Sequence, residues 1–150
     1  MERKRVIVVG VDGSPASKAA LRWAVAHGSR DEAVIEAVMA YDREAAFVPA
    51  TSMGLFPHGE NPAHAHPARR LHDVVAEVHA ESPHEPEIAE ITTVGDPAAT
   101  LVQASKRADL LVIGTRGHGA AVEVLLGSVA AECIRHSACP VVVIPPAAVR

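Results

Sequence analysis

Three observations predict an α/β protein built on an open parallel sheet. Short apolar runs rich in Val and Ile, such as Val6 to Val11 and Leu110 to Ile113, alternate with longer segments of helical periodicity. Aromatics are scarce, one Trp, one Tyr and two Phe within 49% hydrophobic residues, so the core must come from Val, Ile, Leu and Ala. Those are the residues that fill a parallel sheet buried on both faces. Proline directly follows a capping residue at Ser14-Pro15 and Asp96-Pro97, a pairing that marks helix starts. At 150 residues the chain reads as one domain, residues 1–150, with a single sizeable core.

Val6 to Val11 is bounded by charge before it and by Asp12-Gly13-Ser14-Pro15 after it, which makes it the first, central strand. The following helix opens at Pro15, where only an otherwise unpaired N–H is lost. Ala16, Ala19, Ala20, Trp23 and Ala24 form its apolar face, and it is expected to end near His27-Gly28. Ala33 to Tyr41 reads as the second strand, with Val38 and Ala40 on one side. From Asp42 to Pro67 periodicity fails under Pro49, Gly54, Pro57, Gly59, Pro62 and Pro67. A loop this long serves as a lid, a partner surface or a disordered segment, and the residues leave the choice open. Leu71, Val74, Val75 and Val78 restore a helix from Pro67 to Glu81. Glu87 to Val94 is the third strand, a helix runs from Asp96-Pro97 to about Arg107, and Leu110 to Ile113 is the fourth strand. A last helix from Ser128 to His136 leads to the fifth strand, Val141 to Ile144.

In such sheets ligands bind outside the carboxyl ends of the strands, where strand order reverses. Two segments fall at strand ends. One is Gly10-Val11-Asp12; the other is Gly114-Thr115-Arg116-Gly117-His118-Gly119, followed by Gly127-Ser128 at a helix start. Glycines bring backbone N–H groups close to an oxygen, and a helix N-terminus favours negative charge. The pattern is a cradle for phosphate, with Ser128 expected to cap the helix. Asp12 reads either as a turn residue or as a ligand contact, and Arg116 and His118 either as loop residues or as phosphate contacts.

Other chemistry is poorly supported. A net charge of −4 and a pI near 6.1 leave no footprint for nucleic acid. The charged start Met1 to Arg5 lacks a secretory apolar region, and no run approaches the ~18 apolar residues of a membrane span, so a cytoplasmic protein away from membranes is expected. Cys133 and Cys139 lack the spacing of a zinc or redox motif and read as reduced thiols. His58, His64, His66 and His72 have no acidic or cysteine partner at a defined spacing, so no metal site is expected. The P-loop, dinucleotide and nucleophile-turn motifs are all missing, and no residue stands out as a catalytic base.

The spacing Gly114-x2-Gly117-x9-Gly127-Ser128 resembles the nucleotide-binding signature of the universal stress protein family, in its ATP-binding branch. Val8 to Ser17 looks like the family's opening, Val94-Gly95-Asp96-Pro97 like its third-helix entry, Ala108 to Gly114 like its fourth strand, and Ser137 to Ile144 like its ending. The likeness spans the chain except residues 42 to 66, the family's variable loop. It implies an adenine nucleotide α hydrolase-like fold with strand order 3-2-1-4-5 and helices on both faces. It implies ATP or another adenine nucleotide, with Mg2+ held mostly by the phosphates, and a homodimer paired through Val141 to Ile144. Gly10, Val11 and Asp12 would line the adenosine end, and Ala40 with Val38 would border the adenine. Gly114, Thr115, Arg116, Gly117, His118 and Gly119 would wrap ribose and phosphates, and Gly127, Ser128 and Val129 would close over them. Between the two glycine groups the chain carries Ala121-Val122-Glu123, where family members often place bulkier or basic residues, and Glu123 would repel a triphosphate if it faced the site. The function implied is ATP-dependent regulation in a stress response, read by a protein partner. The alternatives are a slow ATPase or phosphotransferase on the same cradle and a nucleotide-free dimeric interaction module.

Overall fold

A computed structural model describes residues 3–42, 66–82, 86–115 and 126–146. Five strands, β1 (Val6–Gly10), β2 (Val34–Tyr41), β3 (Ile88–Val94), β4 (Leu110–Gly114) and β5 (Val141–Ile144), form one parallel sheet in the order β3-β2-β1-β4-β5. This is the order that the family likeness implied. Among the described residues the connecting helices are α1 (Pro15–Asp31), α2 (Pro67–Glu81), α3 (Pro97–Ser105) and α4 (Ser128–His136). The chain winds outward from β1 to β2 and β3, then crosses back to β4 and β5. The carboxyl ends of β1 and β4, adjacent strands in register at Val9 and Val112, therefore flank the switch point.

Each sheet face carries its own apolar core. Ile7, Val9, Ile35, Met39 and Val112 meet Leu21 and Val25 of α1 and Leu71 and Val78 of α2. On the other face Val8, Val38, Leu111 and Ile113 meet Leu101 and Ala104 of α3 and Ala130 and Cys133 of α4. Alternation along each strand divides the two sets, as a sheet buried on both sides requires.

The helix starts follow the sequence closely. Ser14 Oγ accepts from Ser17 N at 3.2 Å and Asp96 Oδ2 from Ala99 N at 2.9 Å, each ahead of a proline at the first helical position. His66 caps α2, its Nδ1 accepting from Ala68 N at 3.1 Å. The helix ends were harder to read. Gly28 does not stop α1, because it sits inside the helix where an added Cβ would lie 2.7 Å from Ile35 Cδ1. The stop comes at Glu32, left-handed at φ 52, whose N–H donates to the Gly28 carbonyl. Ala33 also donates to that carbonyl, at 3.0 Å, so β2 begins one residue later than expected. Val11 lies beyond β1, although its N–H still donates to Val38 O at 2.9 Å. β3 starts at Ile88, and α3 gives way at Ser105 to a turn through Lys106 and Arg107.

Ion pairs decorate this frame. Lys18 and Arg22 of α1 reach Glu77 and Glu81 of α2 at 3.1 and 2.9 Å, exposed contacts of small energetic value. Asp109, ahead of β4, accepts from both Arg3 and the Val6 N–H. The Arg3 guanidinium, and after it the Val6 amide, hold its carboxyl down to about 2. Among the described residues no helix is long and apolar enough to cross a membrane.

Candidate functional site

The turn from β1 into α1 is closed by its own polar groups. Asp12 Oδ1 accepts from Ser14 N at 2.8 Å, and Asp12 N donates to Ser17 Oγ at 3.3 Å. Ser17 Oγ in turn donates to the Ser14 carbonyl at 3.0 Å, and Gly13 supplies the positive φ of 86 that the bend needs. Asp12 thus has a turn-forming role, with its half-buried side chain at the carboxyl end of β1. A contact to ligand would be a second role for the same carboxylate.

Two of the expected site glycines are required by packing. A Cβ on Gly10 would sit 2.7 Å from Leu101 Cδ1 of α3. A Cβ on Gly114 would meet Ala16 Cβ at 2.7 Å and the Ala16 carbonyl carbon at 2.8 Å, so the end of β4 touches the backbone of α1's first turn. The missing side chains let helices approach the sheet from opposite faces at the switch point, whatever else approaches there.

Thr115 and Gly127 join the two halves of the expected cradle. Thr115 N donates to Ile144 O at 3.0 Å, and Gly127 N donates to Thr115 O at 2.6 Å, which brings the start of α4 to the end of β4. The cap of α4 is not Ser128. Gly127 takes the capping position, at φ −72 and ψ 166, and Ser128 becomes the first helical residue, with an exposed side chain. Gly127 has no side chain to satisfy the first-turn N–H groups, unlike Ser14, His66 and Asp96 at the other described helices. Arg116, Gly117, His118, Gly119 and Glu123 lie outside the described residues.

Val38 and Ala40 share a face of β2, on the side of α3. Val38 is 3% exposed and belongs to the core beside Val8 and Leu101, whereas Ala40 is half-buried nearer the strand end. Of the histidines, His66 caps α2 and His72 Nδ1 lies 3.1 Å from Glu90 Oε1; His58 and His64 fall outside the described residues. Among the described residues no three potential ligands gather as a metal site.

A feature absent from the sequence reading adjoins the cradle. A cleft of about 480 Å³ runs between α3 and α4, lined by Asp96, Ala98, Ala99, Val102, Ser128, Val129, Glu132 and His136. Ser128, Glu132 and His136 are four residues apart, one stripe of a helix, which is the only trace of the cleft in the sequence. Cys133 faces the core from the same helix, and its thiol is pushed up to about 11, first by burial and then by the charges of Glu132 and Asp96. It is an inert core thiol.

Comparison with known proteins gives a consistent result. The model of the universal stress protein family matches residues 4–145. A universal stress protein of Mycobacterium tuberculosis is 32% identical, the match covering 93% of this chain and 47% of that protein. One of Mycolicibacterium smegmatis is 35% identical over 92% of this chain and 47% of its own length. The chain spans about half the length of the curated relatives it matches. Among solved structures, universal stress protein UspA from Lactobacillus plantarum superposes with a TM-score of 0.73 at 27% identity, covering 96% of this chain and 99% of that one. A universal stress protein in complex with cAMP gives 0.67 at 26% identity, over 97% and 100% of the two chains. A family protein from Arabidopsis thaliana with AMP bound shares the fold, with a TM-score of 0.64 at 22% identity over 94% and 91%.

Proposed function

The chain belongs to the universal stress protein family, and on that premise we propose that it is a regulatory protein of the stress response that binds an adenine nucleotide at the β1/β4 switch point. The observation that carries this reading is the Gly127 to Thr115 hydrogen bond, which sets the uncapped first turn of α4 beside the end of β4. Such a turn offers N–H donors and the positive end of a helix dipole to a phosphate. The similarity to a protein solved with cAMP supports an adenine ligand. Asp12 and Ala40 would meet the adenosine end, Gly127, Ser128 and Val129 the phosphates, and Mg2+ would be held chiefly by the phosphates themselves. Binding regulates only by favouring one of two states, so the bound form would be the one a partner reads. The free thiols of Cys133 and Cys139 fit a reducing, cytoplasmic setting.

We further propose a homodimer through β5. Pro140 O and Ile144 O accept from Leu111 and Thr115, so the alternate residues Val141 and Val143 turn their backbone groups to the open edge. Val143→Pro removes an outward N–H without touching the β4 ladder. Sedimentation should show dimeric wild type and a weakened dimer in the variant; a wild type that is monomeric at high concentration overturns the pairing.

Nucleotide binding is tested by thermal melts with AMP, cAMP and ATP with Mg2+, on wild type, Ser128→Ala and Ser128→Pro. Proline is tolerated at the first helical position, and Gly127 already has the extended backbone that precedes a proline. Ser128→Pro therefore deletes one N–H from the turn and leaves the helix intact. A ligand at ~100 times its dissociation constant adds about 2.7 kcal/mol, a shift of several degrees. The shift should survive Ser128→Ala and shrink in Ser128→Pro. Wild type that gains nothing from any of the three nucleotides would refute the reading.

A further inference from the structure

The outer edge of β5 offers few backbone groups, and its neighbours decide which. Pro140 O and Ile144 O accept from Leu111 and Thr115, and the register with β4 turns Val142 inward as well. The outward positions are therefore Cys139, Val141, Val143 and Pro145. Cys139 is engaged locally: its N–H donates to Ser137 Oγ at 3.2 Å, and its carbonyl accepts from the same hydroxyl at 2.7 Å. Pro145 has no N–H. That leaves Val141 and Val143, each presenting one donor and one acceptor that no described backbone group meets from outside.

Beside that edge lies an apolar helix flank. Ala130 and Cys133 of α4 face the core, and Ser128, Glu132 and His136 line the cleft towards α3. At about 100° per residue, the remaining flank carries Ala131 and Ile134. α3 packs over β1 and β2 and α4 over β5, so the flank turned away from α3 overlooks the open edge. Ile134 is 51% exposed, the most exposed large apolar side chain among the described residues. A second chain paired to β5 would run beneath it.

Resting on the β5 pairing read above, we propose that this surface receives a second copy of the chain in one register, with a two-fold axis at Val142 and the Ile134 side chains of both copies packed over the joined edge. Antiparallel pairing about Val142 sets Val141 opposite the second copy's Val143, and every outward donor and acceptor of the two residues is then matched. Centring on Val143 would aim the Val141 carbonyl at Pro145, which has no N–H to give. Centring on Val141 would aim the Val143 carbonyl at the Cys139 N–H, already held by Ser137. The antiparallel arrangement also points the carboxyl ends of the two sheets in opposite directions, so each copy keeps its own switch point.

The test is disulfide trapping of the full chain by oxidised glutathione, in a Cys139→Ser background that leaves only the buried Cys133 as a native thiol. Directly opposed residues of an antiparallel pair have Cα atoms about 4.5–5.5 Å apart, diagonal neighbours about 7–8 Å, and a disulfide spans about 4.4–6.8 Å. Val142→Cys chains should therefore cross-link with one another. A mixture of Val141→Cys and Val143→Cys chains should do the same, while either of these alone should cross-link about tenfold more slowly. Faster trapping of Val141→Cys or Val143→Cys alone than of the two predicted pairs overturns the register. The mixture leaves Val142 and its packing untouched, so a poorly folded Val142→Cys does not blunt the test. Ile134→Asp should weaken the dimer about tenfold in sedimentation, and a dimer as tight as wild type overturns the helix contact. Should the unmodified chain be monomeric at high concentration, the β5 pairing itself fails first and the register falls with it.

Discussion

Adding a single methyl group at Gly114 probes how β4 meets α1. A Cβ there would lie 2.7 Å from Ala16 Cβ and 2.8 Å from the Ala16 carbonyl carbon, short of ordinary contact by at least about 0.7 Å. The obstacle is backbone on a helix whose first turn is fixed by Ser14, Ser17 and Asp12, so no rotamer change relieves it. Gly10 gives the internal control: its Cβ would also come within 2.7 Å of an atom, but that atom is the far end of Leu101. Overpacking of fixed neighbours costs about 1–3 kcal/mol. Stiffening the unfolded chain returns about 0.4–1 kcal/mol in any Gly→Ala change that fits. We expect Gly114→Ala to lose about 2 kcal/mol and Gly10→Ala to lose less than about 1 kcal/mol, measured by urea unfolding with the slope held constant. Combining Gly114→Ala with Ala16→Gly should recover part of the loss, because the Cβ contact disappears while the backbone contact remains. Equal stability of the two single variants would refute the packing account of Gly114. If the prediction holds, loss of ligand binding in a Gly114 variant cannot by itself identify a phosphate contact.

Other expectations concern the frame. Ser14→Ala should cost about 1 kcal/mol in urea unfolding, since it removes the buried cap of α1, and Ser14→Asp should restore most of it. Leu71→Ala, at a fully buried position of α2, should cost about 2–5 kcal/mol, with a smaller loss pointing to a site that collapses around the deletion. Asp109 titrates near 2 in the folded chain against an ordinary 3.8, so its contribution is present above about pH 4 and is lost as pH falls towards 2. Asp109→Asn, which keeps an acceptor for the Val6 N–H, should therefore be less stable than wild type at pH 6 and approach it at pH 2.5; a constant gap across that range would discount the ion pair with Arg3.

Much of the frame was legible because local chemistry sets it. Proline after a capping residue placed α1 and α3, and apolar runs placed all five strands to within a residue. Strand order came from the family likeness, since alternation alone says nothing about which strands are neighbours. The misread positions are those decided by distant residues. Gly28 looks like a helix stop until Ile35 is packed against it, and the packing roles of Gly10 and Gly114 show only once Leu101 and Ala16 are in place. Ser128 looks like a cap, yet the dihedral angles of Gly127 take that role and free the serine to face outward. The acidic cleft was hidden for the same reason: Asp96 and Glu132 are far apart in the chain, and only the side-by-side packing of α3 and α4 makes them walls of one space.

The Gly127 to Thr115 hydrogen bond has one more consequence. It joins the start of α4 to a residue whose own N–H donates to Ile144 O at the end of β5, so the last strand, the end of β4 and the first turn of α4 form one backbone relay. A displacement of the sheet's open edge at Ile144 is therefore passed through Thr115 to Gly127, which couples that edge mechanically to the helix start.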